Sequence, residues 1–154
     1  MKRLFGLSVI VSMLLVAMAG TPTALAAETH HGTLSGGTGY NDGSGLEGYE
    51  AGSYSLSPEG VWNLSIGSNS VEITGVLRNP TCPLEPCKFL MNLSAGTPWQ
   101  EYASTDTSRT FYSFVDWGLV TLDVYFTYFD SGSVTMDFYI EGCPHGWTYW
   151  SITG

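Results

Sequence analysis

LVTLDVYFTYFDSGSVTMDFYIE, residues 119–141, alternates apolar and polar side chains on both sides of a turn. Val120, Leu122, Val124, Phe126 and Tyr128 share one parity, and beyond the DSGS turn Val134, Met136, Phe138 and Ile140 do the same. The other parity carries Thr121, Asp123, Tyr125 and Thr127, then Thr135, Asp137, Tyr139 and Glu141. An extended strand sends successive side chains to opposite faces, so the stretch predicts a hairpin with one face in a core and one in water.

Upstream, VWNLSI (61–66) and VEITGVL (71–77) predict a second hairpin. If Ile66 lies opposite Val71, then Leu64 meets Ile73 and Trp62 meets Gly75, whose missing side chain leaves room for the indole. KFLMNLS (88–94), RTFYSFVD (109–116) and WTYWSIT (147–153) read as further strands, and no window after the leader keeps a helical period. Seven to nine short strands with frequent turn residues predict an all-β fold, an antiparallel β-sandwich or a small β-barrel. Residues 61–154 are expected to form the β-rich core of a single domain. The glycine-dense stretch 27–60 reads mostly as loop, with one or two short strands near Tyr49–Leu56.

The chain opens with Lys2 and Arg3, an apolar run from Leu4 to about Gly20, and Ala24-Leu25-Ala26. That order predicts a secretory signal peptide over 1–26 and a released extracellular or periplasmic product. Its removal leaves Arg78, Lys88 and Arg109 against fourteen acids, a formal charge of 3 − 14 = −11. Three scattered cations do not make a phosphate-binding cluster, which argues against nucleic acid as a partner. The same charge disfavours anionic membrane surfaces after cleavage.

Motifs for chemistry are few. GxSxG is absent from the mature chain and HExxH is absent altogether, so no catalytic residue is assigned. Of the three cysteines, Cys82 and Cys87 flank a loop stiffened by two prolines and are expected to form a disulfide in an oxidising compartment. A bridge from either to Cys143 is the alternative.

EGCPHGW (141–147) places Cys143 and His145 between the last two strands and resembles the copper-binding loop of the cupredoxins. The resemblance implies Cys143 and His145 as metal ligands in a copper or redox protein. One residue separates them where that family has two, and no methionine follows. Otherwise the stretch is a turn built by Pro144 and Gly146. Two further ion sites come from residue type alone. Cleavage after Ala27 would expose Glu28-Thr29-His30 to Cu(II), and NDGSGLE (41–47) offers calcium the oxygens of Asn41, Asp42, Ser44 and Glu47.

Aromatic residues are the strongest remaining signal, because neighbours such as FTYF, DFY and WTYW cannot all face one core. Tyr125, Tyr139 and one of Trp147 or Trp150 are expected to look outward, on the face that carries Asp123 and Asp137. Rings with polar edges among threonines and carboxylates suit a carbohydrate, an apolar small molecule or a protein surface. The expected protein is a secreted, non-catalytic β-domain binding through Tyr125, Tyr139, Asp123, Asp137 and Trp147. A copper or redox protein, or a structural extracellular or envelope protein without ligand, are the other two readings.

Overall fold

The computed structural model describes residues 27–43, 51–79, 89–116, 118, 120–142 and 146–154. Eleven strands run through them: β1 Glu28–Leu34, β2 Gly36–Asn41, β3 Gly52–Leu56, β4 Glu59–Ile66, β5 Val71–Asn79, β6 Phe89–Asn92, β7 Gln100–Ser104, β8 Ser108–Asp116, β9 Val120–Phe129, β10 Val134–Gly142 and β11 Gly146–Thr153. They make a four-stranded sheet, order β1-β4-β5-β6, and a seven-stranded sheet, order β3-β2-β11-β10-β9-β8-β7. Every adjacent pair is antiparallel. The all-β antiparallel expectation holds. The count exceeds the seven to nine strands expected, and two separate sheets make a sandwich, not a closed barrel.

Both hairpins read from the sequence form, and the 61–66/71–77 one has the expected register. Ile66 pairs with Val71, Leu64 with Ile73 and Trp62 with Gly75. In the β9–β10 hairpin Val124 faces Phe138 and Phe126 faces Met136. Leu122, Val124, Phe126, Met136 and Phe138 are buried against Trp62, Leu64, Ile73 and Leu77 of the other sheet. Each such side chain contributes about 1.5–3 kcal/mol by leaving water, which makes this interface the main source of cohesion. Phe126 sits where Trp62, 5.4 Å away, and Trp99, 6.5 Å away, both meet it edge-on.

In the glycine-dense stretch a short strand expected near Tyr49–Leu56 forms as β3, Gly52–Leu56. Residues 28–34 and 36–41, expected as loop, are strands as well. Two of the stretch's glycines, Gly32 and Gly39, serve close approach to large rings. A Cβ on Gly32 would stand 2.7–2.9 Å from the Trp62 indole, and one on Gly39 would stand 2.4 Å from the Tyr54 ring. Gly39 lies between Tyr54 on β3 and Trp150 on β11, and the Trp150 indole N–H donates to the Tyr54 hydroxyl at 2.7 Å. The room expected beneath the Trp62 ring at Gly75 is in fact at Gly32, on the other flanking strand. Gly75 meets backbone instead: its Cβ would fall 2.0 Å from the Val61 carbonyl oxygen, and its φ is +140°.

At Ser35 the chain leaves the smaller sheet for the larger one, its N–H donating to the Thr153 carbonyl at 3.0 Å. His30 and His31, expected outside any strand, therefore lie within β1. The His30 ring stacks on Tyr128 at 4.3 Å and hydrogen-bonds both its hydroxyl (2.9 Å) and Glu28 (2.6 Å).

Candidate binding face

The outer face of the seven-stranded sheet inherits the polar parity of every strand in it. Register decides what stands beside what. Tyr112 on β8 pairs with Tyr125 on β9, and Tyr125 pairs with Asp137 on β10. In the adjacent row Asp123 on β9 pairs with Tyr139 on β10, Tyr139 with Tyr149 on β11, and Tyr149 with Tyr40 on β2. The tyrosines thus form a stripe across the strands that steps sideways by two residues between β9 and β10. The two aspartates occupy the inside of that step.

A sixth ring joins at the edge. β7 slips register between Glu101, opposite Phe111, and Ala103, opposite Thr110, so Tyr102 is the extra residue of a bulge. Bulges re-aim side chains, and this one brings the Tyr102 ring to 5.2 Å from Tyr125 and 6.5 Å from Tyr112. Arg109 braces the strand, its Nε and Nη2 donating to the two carboxylate oxygens of Glu101 at 3.0 and 2.9 Å. The arginine holds the Glu101 carboxyl below the usual range, chiefly through those hydrogen bonds.

Successive rings touch without lying flat. Tyr112–Tyr125, Tyr125–Tyr139 and Tyr139–Tyr149 have centroids 5.2, 5.8 and 5.0 Å apart at interplanar angles of 46°, 88° and 46°. Such tilted and edge-to-face contacts are the favoured geometry for aromatic pairs. Between them lies an open groove of ≈ 530 Å³, lined by Tyr102, Tyr125, Tyr139, Asp123, Asp137, Thr110 and Thr127. Tyr102 is 66% exposed and Tyr139 38%, so their rings are the accessible walls.

Both carboxylates are oriented by phenols. The Tyr112 hydroxyl donates to Asp123 Oδ1 at 2.6 Å, and the Tyr149 hydroxyl donates to Asp137 Oδ1 at 2.8 Å. That bond to Asp123, then burial, pushes the Tyr112 phenol up to about 12. Tyr125 and Tyr149 are also raised, chiefly by burial. The phenol must keep its proton to donate, so the stabilisation from Tyr112 is complete below pH about 10 and is lost as pH climbs through about 12. Alkaline titration of phenolate absorbance is expected to show a late-ionising tyrosine that Asp123→Asn brings earlier. Uniform ionisation near pH 10 in both proteins would contradict the bond.

Of the residues expected to bind, Tyr125, Tyr139, Asp123 and Asp137 converge on this groove. The backbone of Trp147, on β11, pairs with Glu141 of β10, and the Trp147 side chain lies outside those described. Trp150, the alternative outward indole, is buried. Tyr102, Tyr112, Tyr149 and Tyr40 were not singled out from sequence. For Tyr149 the WTYW alternation carried the signal, whereas the bulge at Tyr102 has none.

The ion-site expectations fare differently. Cys82, Cys87, Cys143 and His145 lie outside the described residues, as do Ser44 and Glu47 of the calcium stretch and the leader over 1–26. Asn41 is buried, and its side-chain oxygen accepts the Gly43 N–H at 2.8 Å. An N-terminal copper chelate would have to unpair Glu28, Thr29 and His30 from β4 and break the His30 Nδ1 bond to Tyr128. Among the described residues no group of three or more His, Cys, Asp or Glu could hold a metal. No family model, curated protein or solved structure matches the chain.

Proposed function

We propose that this chain is a secreted, non-catalytic protein that binds a glycan through the tyrosine face of its larger sheet. The observation that carries the reading is the groove in which Tyr102, Tyr125 and Tyr139 flank Asp123, Asp137, Thr110 and Thr127. A pyranose presents an apolar C–H face, which packs on an aromatic ring, and a rim of hydroxyls, which donate to carboxylates and exchange hydrogen bonds with threonines. Carboxylates among the rings favour such a ligand over an apolar one, which would strip water from their remaining acceptor sites and replace it with nothing. The leader, with Lys2 and Arg3 ahead of an apolar run and Ala24-Leu25-Ala26, supports a role outside the cell.

The test is binding, by calorimetry or tryptophan fluorescence, to a panel of gluco-, xylo-, manno- and chito-oligosaccharides, with Tyr139→Ala as the variant. At least one family should bind, and the loss of the Tyr139 wall should weaken it about 5–30-fold, the equivalent of about 1–2 kcal/mol of stacking. No binding across the panel, or binding indifferent to Tyr139→Ala, would refute the assignment.

A further inference from the structure

The tyrosine stripe is longer than the groove at its centre. From Tyr102 on β7 to Tyr40 on β2 it crosses six adjacent strands, one ring on each. Five gaps of about 4.8 Å give a span of about 24 Å, room for about five pyranose units. Both ends are accessible, Tyr102 at 66% and Tyr40 at 40% exposure. A site for a chain terminus would close at one end. A flat crystalline face would need coplanar rings, and these are tilted by 46° to 88°. The shape suits an internal stretch of one soluble chain.

Charge then narrows the chemistry. Asp123 and Asp137 stand at the middle of the stripe, and each holds a tyrosine hydroxyl on Oδ1 and makes no other hydrogen bond or ion pair among the described residues. Among the described residues no cation lines the groove. Arg78 belongs to β5 of the other sheet, and Arg109 is engaged by Glu101. The chain as a whole carries a formal −9. The negative faces of the rings add to this field and themselves attract ammonium groups.

We propose that the ligand is a linear amino-sugar chain with free ammonium groups, laid across the strands along the stripe with ammonium groups on Asp123 and Asp137. The inference rests on the glycan reading and fixes its class. An N-acetylated or neutral chain of the same length makes the stacking contacts without the ion pairs.

The experiment compares fully deacetylated chitosan oligosaccharides with N-acetylated and cello-oligosaccharides, from disaccharide to hexasaccharide, at low and high salt, with pentalysine as a non-sugar cation. The deacetylated hexasaccharide should bind about tenfold tighter than its neutral counterparts at low salt, and the advantage should shrink as salt screens it. Asp123→Asn with Asp137→Asn, which removes both charges at nearly constant shape, should abolish the advantage. Tyr40→Ala should weaken the hexasaccharide several-fold and leave the disaccharide unchanged. Equal binding of charged and neutral hexasaccharides would overturn the charge assignment and leave the glycan reading standing. Equal binding of disaccharide and hexasaccharide, unmoved by Tyr40→Ala, would overturn the extended mode. Pentalysine binding as tightly as the chitosan hexasaccharide, or no sugar binding at all, would overturn both readings.

Discussion

Gly75→Ala is expected to destabilise the protein by at least about 3 kcal/mol, although it adds a single methyl group. The position combines two demands that only glycine meets. Its φ of +140° lies where a Cβ is strained in any surroundings, and that Cβ would fall 2.0 Å from the Val61 carbonyl oxygen and 3.0 Å from the Trp62 Cα. The obstacles are backbone atoms of the paired strand β4, so no rotamer change relieves the clash. Relief requires β4 and β5 to part locally, which disturbs Trp62, Leu64 and Ile73 in the core. Gly75 also accepts the Leu93 N–H at 3.0 Å, so a shift there propagates toward β6. In urea the unfolding midpoint should fall by about 1–3 M, given a usual slope of about 1–3 kcal/mol per M. A midpoint within error of the parent would show that the glycine is dispensable and the strand contact looser than described. Gly52→Ala, whose Cβ would meet nothing within 4 Å, is the matching control.

How much of this was legible in the sequence depends on the distance over which the deciding interaction acts. The hairpins were legible because alternation is local: Ile66 opposite Val71 and Tyr125 opposite Asp137 follow once the turns are placed. The outward parity of Asp123, Tyr125, Asp137 and Tyr139 came with it. The glycine-dense strands were not legible, because what makes Gly32 and Gly39 strand residues is an aromatic side chain arriving from another strand, Trp62 in one case and Tyr54 in the other. The stripe was half legible. Each tyrosine's face could be read from its own strand, but their order follows from β11 pairing with β2, a contact between segments more than a hundred residues apart. Tyr102 was hidden altogether, since a bulge is an exception to the alternation that was being read.

Phe126→Ala is expected to cost about 3–5 kcal/mol, whereas Tyr125→Ala, one residue away, should cost only about 1 kcal/mol. The two side chains leave the same strand in opposite directions. Phe126 is fully buried and fills the junction between Trp62 and Trp99, so truncation leaves a cavity that both sheets must close. Tyr125 is partly exposed and loses only ring contacts with Tyr102, Tyr112 and Tyr139. Binding should reverse the order. At a temperature where both variants remain folded, Phe126→Ala should keep the oligosaccharide affinity of the parent, because the outer face contains none of its atoms. Tyr125→Ala should lose about 30-fold or more, because it removes the groove's central ring and the partner of two walls. Denaturation and calorimetry on this pair separate cohesion from recognition along a single strand. Equal stability losses would mean that the tyrosine face is structural, and a Phe126→Ala variant that folds but fails to bind would mean that core packing sets the groove.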